Sequence, residues 1–99
     1  MRRYYSHYTF IYPDTYVKNC IVEMDDNRKI LRFFPFTKEM EKTEFYTGHL
    51  LFLPLNDLFT NSELNNLVSG KYFSIDTKKE NFDSNIRYGV YTLDGDTIL

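Results

Sequence analysis

Residues 44–59 read EFYTGHLLFLPLNDLF. An aromatic stretch reaches Thr47-Gly48, large apolar residues fill Leu50 to Leu53, and Pro54 ends the run. Two short apolar runs on either side of a Thr-Gly pair predict two strands joined by a tight hairpin or bend. After Pro54 the periodicity changes. In NDLFTNSELNNLVSGK (56–71), Leu58, Phe59, Leu64, Leu67 and Val68 recur at helix-like intervals. Asn61 or Ser62 is the expected cap, and Ser69-Gly70 the stop. Here a sheet hands over to the one convincing helix of the chain, and that helix is short.

Outward from this point the chain reads as strands. RYYSHYTFIY (3–12) interleaves Tyr, Phe and Ile with polar residues, and Pro13-Asp14-Thr15 is a turn signal. YVKNCIVEM (16–24) continues as a strand in which Val17, Cys20 and Val22 or Ile21 compete for the inner face, so a bulge is expected near Asn19. Asp25-Asp26-Asn27 makes a polar turn, and KILRFFPF (29–36) returns, with Pro35 marking an edge or a strand end. KYFSID (71–76) and IRYGVYTL (86–93) read as strands around a polar loop at 77–85. Asp94-Gly95 is a hairpin signal before DTIL (96–99). The expected fold is mainly β: a pseudobarrel or sandwich of about seven short strands with one short helical connection, in a single domain over residues 1–99.

Composition narrows the function classes. Ninety-nine residues with nine Tyr and nine Phe supply an aromatic core and leave no room for a catalytic barrel. A net charge of −2, with Lys and Arg scattered among Asp and Glu, lacks the basic stripe of a nucleic-acid binder. The single Cys20 excludes an intramolecular disulfide and fits a reducing, cytoplasmic setting. No stretch has the apolar length of a signal peptide core or a membrane helix.

The reactive residue types do not form a constellation. His7, His49 and Cys20 occur in no CxxC, HxH or HExxH arrangement, so no metal ligand, catalytic residue or cofactor is assigned. His7 lies in an alternating strand and His49 follows a turn glycine, where a polar side chain faces solvent. Cys20 suits a small buried hydrophobe. Asp25-Asp26 and Asp94/Asp96 sit at turns, where Asp bonds its own backbone. The tyrosines offer more. Alternation turns about half of the tyrosines of YYSHY (4–8), with Tyr12 and Tyr16, outward, and Tyr4, Tyr8, Tyr12 and Tyr16 with His7 and His49 are the candidate contact surface.

The series HYTFIYPD (7–14), VKNCIVEMDDNRKILRF (17–33) and EFYTGHLLFLP (44–54) resembles the opening of amidohydrolase-superfamily enzymes of the chlorohydrolase and nucleoside-deaminase-like branch. SGKYFSID (69–76) and IRYGVYTLDGDTIL (86–99) resemble, more loosely, their closing strands. The resemblance implies a small composite β domain built from both ends of the chain. In those enzymes a metal-dependent barrel lies between the two halves, entered through a His-x-His pair. Here only fifteen residues separate Pro54 from Gly70, Leu55 stands where Gly is expected, and no His follows His49. The resemblance thus implies a barrel-less β domain without the family's metal ligands. The expected function is a non-catalytic interaction or assembly module, with a protein partner or a homodimer. The alternative is a small-ligand binder with a Tyr/Phe-lined cleft.

Overall fold

The computed structural model describes residues 1–72 and 85–99. One sheet contains β1 (Arg2–Ile11), β2 (Thr15–Met24), β3 (Ile30–Pro35), β4 (Thr43–Pro54) and β5 (Tyr88–Thr92), and among the described residues one helix, α1 (Asn61–Leu67), lies between β4 and β5. The strand order is β3-β2-β1-β4-β5. β1 lies at the centre, antiparallel to β2 and parallel to β4. Parallel neighbours need a crossover, and here the β2–β3 hairpin and the segment after it make that connection.

The mainly β expectation holds, but the described sheet has five strands rather than about seven. The hairpin or bend expected at Thr47-Gly48 is absent: residues 43–54 are one strand. Ser6 pairs with Tyr46, but Tyr8 pairs with His49, so β4 carries one residue more than β1 across this interval. Gly48, at φ +92°, absorbs the extra residue as a β-bulge. A glycine with positive φ serves a hairpin turn and a bulge equally well, which is why the local sequence reads both ways. At the C-terminus, Asp94-Gly95 does turn the chain, with Gly95 at φ +90°. The returning residues make only an isolated bridge, Tyr91 to Thr97. Lys71 and Tyr72 belong to no strand, and the remainder of the expected strand at 71–76, like nearly all of the loop at 77–85, lies outside the described residues.

The bulge expected near Asn19 is also displaced. The β1–β2 register runs without a shift from Arg2↔Met24 to Ile11↔Thr15. Asn19 instead takes a left-handed conformation, φ 56°. On β2 the residues flanking this turn of the backbone, Val17 and Cys20, are three apart and both buried, and β1 opposite shows the same spacing. Ser6 and Thr9 are three apart yet both buried, with their hydroxyl oxygens 2.6 Å apart. A bulge occurs instead in the β2–β3 hairpin, where Glu23 pairs with Arg32 and Met24 with Ile30, leaving Leu31 of β3 extra and about half exposed.

Two apolar layers result. On the inner face Tyr4, Ile11, Val17, Cys20, Val22, Leu50, Phe52 and Val90 form the main core, sealed by Ile98 and Leu99 of the C-terminal segment. The outer face packs Phe10, Leu51 and Leu53 against Leu64 of α1. The sheet is open, since no ladder joins β3 to β5. One backbone bond, from the Tyr88 N–H to the Arg28 carbonyl at 2.8 Å, ties β5 to the β2–β3 turn.

Helix α1 is capped by Thr60, not by Asn61 or Ser62. Its hydroxyl accepts from the Glu63 N–H at 3.2 Å, and the Glu63 carboxylate accepts from the Thr60 N–H at 3.0 Å. This reciprocal box satisfies two amides that the first turn leaves open. Seven residues are too few for a stable isolated helix, so Leu64 in the outer layer must hold it. Leu58, assigned to the helical pattern in the sequence, precedes the helix and is 96% exposed.

Candidate interaction surface

The outer face divides into three regions along β1. At its N-terminal end, Arg3, Glu23 and Arg32 lie in register across β1, β2 and β3. The Glu23 carboxylate is buried and accepts from Arg3 Nε at 2.6 Å and from Arg32 Nε. Burial pushes the Glu23 carboxyl up, but the hydrogen bonds from Arg32 and Arg3 outweigh it and hold the group below the usual carboxylate range. Arg3 also donates to the Glu41 carbonyl, and the Arg32 guanidinium lies over the Phe34 ring at 5.0 Å. Both Glu23 oxygens are engaged by arginines of the neighbouring strands, so the row is a structural clamp.

Next comes an aromatic patch. Tyr5 contacts Phe36 at 4.9 Å, Phe45 at 5.5 Å and His7 at 5.9 Å between ring centroids. Phe45 is 50% exposed and His7 is exposed. The Tyr5 hydroxyl donates to Asn19 Oδ1, so the left-handed residue also orients the patch. Immediately beyond, Tyr8 stacks on His49 at 4.8 Å, and Tyr72 meets both edge-on. The bulge at Gly48 creates this stack, because it brings His49 rather than Gly48 opposite Tyr8. Burial lowers the His49 pKa, favouring the neutral ring. Burial and the neighbouring Tyr16 push Tyr72 up to about 12.

The third region lies beside α1. Tyr12, Tyr16, Phe59, Glu63, Asn66 and Leu67 line an open groove of 400 Å³. The Tyr16 hydroxyl donates to the Leu67 carbonyl at 2.5 Å, fixing the ring against the helix end. A Cβ at Gly70 would overlap the Tyr16 ring, so glycine is required there by close approach. Tyr12 and Phe59 form the opposite wall, with ring centroids 5.7 Å apart.

Of the contact residues expected from the sequence, Tyr8, Tyr12, Tyr16, His7 and His49 reach this face. Tyr4 does not: at 1% exposure it packs against Tyr46 and Phe52 in the inner core and offers no contact surface. Cys20 is buried in the same core, its thiol donating to the Lys18 carbonyl and pushed up to about 12 by burial. It therefore lies on the sheet face opposite His49, and the three residues His7, His49 and Cys20 do not meet. Among the described residues no group of three or more His, Cys, Asp or Glu side chains is placed to hold a metal ion. No helix among them is long and apolar enough to cross a membrane. The sequence pointed to Tyr5 only as one of the tyrosines of YYSHY, and it did not point to Phe36, Phe45, Phe59 or Tyr72 as surface residues. The aromatic density of KILRFFPF and EFY was the available signal, but partners in different strands cannot be paired by inspection. No known protein family, curated protein or solved structure matches the chain.

Proposed function

We propose that this chain is a non-catalytic interaction or assembly module that pairs with a second copy of itself through the open aromatic part of its outer sheet face. The observation that carries the proposal is the half-exposed Phe45, in ring contact with Tyr5 and Phe36, with His7 against Tyr5, in one patch over the sheet. Interfaces favour large aromatic side chains combining apolar area with a polar tip. A two-fold contact needs only one self-complementary patch, and a net charge of −2 opposes it weakly. In this role the chain is a barrel-less counterpart of the amidohydrolase accessory domain. Its curled sheet, tied at Tyr88 and Arg28, would act as the pseudobarrel. The single buried thiol is consistent with work in the reducing cytoplasm.

Size-exclusion chromatography with light scattering over a concentration series tests this. The wild-type mass should rise above 11.9 kDa, and Phe45→Asp should hold it at the monomer value. A wild-type monomer at the highest concentration, or a Phe45→Asp variant that still self-associates, would rule out the proposed contact.

A second reading, small-ligand binding in a Tyr/Phe-lined cleft, is supported by the groove between Tyr12, Tyr16, Phe59 and α1. Its volume lies at the small end of ordinary ligand sites.

A further inference from the structure

The groove beside α1 has a chemical bias that the aromatic patch lacks. Three of its six lining side chains are aromatic, Tyr12, Tyr16 and Phe59, and aromatic faces carry partial negative charge. Its charged lining residue is Glu63, and among the described residues no Lys, Arg or His lines it. The backbone hydrogen bond from Thr60 lowers the Glu63 pKa, so the carboxylate is ionised at neutral pH. One Glu63 oxygen is engaged with the Thr60 N–H, which anchors the side chain beside the groove. Asn66 adds an amide one helical turn further on, on the same side of α1. The Tyr16 hydroxyl is already committed to Leu67, which leaves its ring as the contact.

We propose that this groove binds a cationic side chain, Arg or Lys, carried on a short apolar peptide segment, with the cation facing Glu63 and the apolar neighbours lying against Tyr12, Tyr16 and Phe59. Charge complementarity selects this occupant. A carboxylate and aromatic faces both attract a cation, and a planar guanidinium stacks on the latter. An anionic ligand would meet the Glu63 carboxylate and the aromatic faces, with only the neutral Asn66 amide and Tyr12 hydroxyl as side-chain donors. The proposal rests on the ligand-groove reading and is independent of self-association through Phe45.

The test uses three capped pentapeptides, each with two leucines flanking a central Arg, Gln or Glu, titrated into the full chain and followed by two-dimensional NMR. The Arg peptide should perturb the resonances of Tyr12, Tyr16, Phe59 and Asn66 and bind about fivefold more tightly than the Gln peptide. The Glu peptide should bind more weakly than either. Glu63→Gln retains the capping box, because Gln serves at that position as well as Glu. It should therefore leave the helix signals intact while abolishing the preference for Arg. Equal binding of the Arg and Gln peptides in the groove would overturn the cationic preference and leave the ligand groove standing. If no peptide perturbs the groove, the ligand reading falls as well. An Arg preference unchanged in Glu63→Gln would also overturn the proposal, by placing recognition elsewhere.

Discussion

The two ends of the outer sheet face solve the same problem differently. At one end Phe10, Leu51 and Leu53 are covered by a helix, through Leu64, and the solution is ordinary apolar burial. At the other end no helix of the described residues arrives. There the sheet shields itself with its own side chains: a buried carboxylate between two arginines, followed by aromatic rings leaning on one another. The comparison teaches that the uncovered end trades a hydrophobic lid for electrostatic closure. Such closure is more sensitive to the loss of one member, and it leaves aromatic surface free for contact.

The largest effect should come from breaking the clamp. Glu23→Ala leaves two arginines facing a cavity and should cost about 3–5 kcal/mol, measured by urea denaturation. Replacing Arg3, Glu23 and Arg32 together by Met, Leu and Met should recover most of that loss, since an apolar row needs no ion pairing. If the triple variant is as unstable as Glu23→Ala, the row is more than a clamp. The same carboxylate makes stability depend on pH. Its folded pKa is depressed, so its contribution is fully present above the unfolded carboxyl value of about 4.3 and is lost as pH falls through the folded value. Wild type should therefore lose more stability than Glu23→Gln between pH 5 and pH 3, an interval set by that unfolded value of about 4.3.

At the covered end Leu64→Ala should cost about 2–3 kcal/mol, less than the top of the usual range because a seven-residue helix can shift to fill part of the space. Circular dichroism should report loss of the helix before loss of the sheet. A smaller effect is expected from Gly70→Ala. The new methyl must displace the Tyr16 ring, costing about 1–2 kcal/mol and weakening the Tyr16–Leu67 hydrogen bond, which the Tyr16 ring resonances would show. The smallest effect should be that of Phe45→Asp, about 0.5–1 kcal/mol, because the ring contacts with Tyr5 and Phe36 are lost while half of the residue is already in water. A large destabilisation there would mean that the uncovered end depends on Phe45 for its fold and not only for contact.

Part of this architecture was legible without coordinates. The strands of RYYSHYTFIY and YVKNCIVEM, the turn at Asp25-Asp26-Asn27 and the Asp94-Gly95 reversal follow from alternation and turn chemistry, which act within a few residues. The helix after Pro54 was legible for the same reason, although its cap moved to Thr60 once Glu63 could reciprocate. The candidate surface was less legible. Tyr4 and Tyr8 look alike in sequence, yet one is core and the other surface, because the spacing of buried residues slips from two to three midway along β1, opposite Asn19.

The amino-acid sequence by itself determined the mainly β character, the short helix after Pro54, the free thiol and the aromatic excess, because these depend on composition and on local periodicity. Tertiary structure alone decided that EFYTGHLLFLP is one bulged strand parallel to β1, and that Glu23 is buried between Arg3 and Arg32. It also decided which tyrosines reach solvent. Each of these depends on pairing between residues distant in the chain, where a shift of one position exchanges the two faces of a strand.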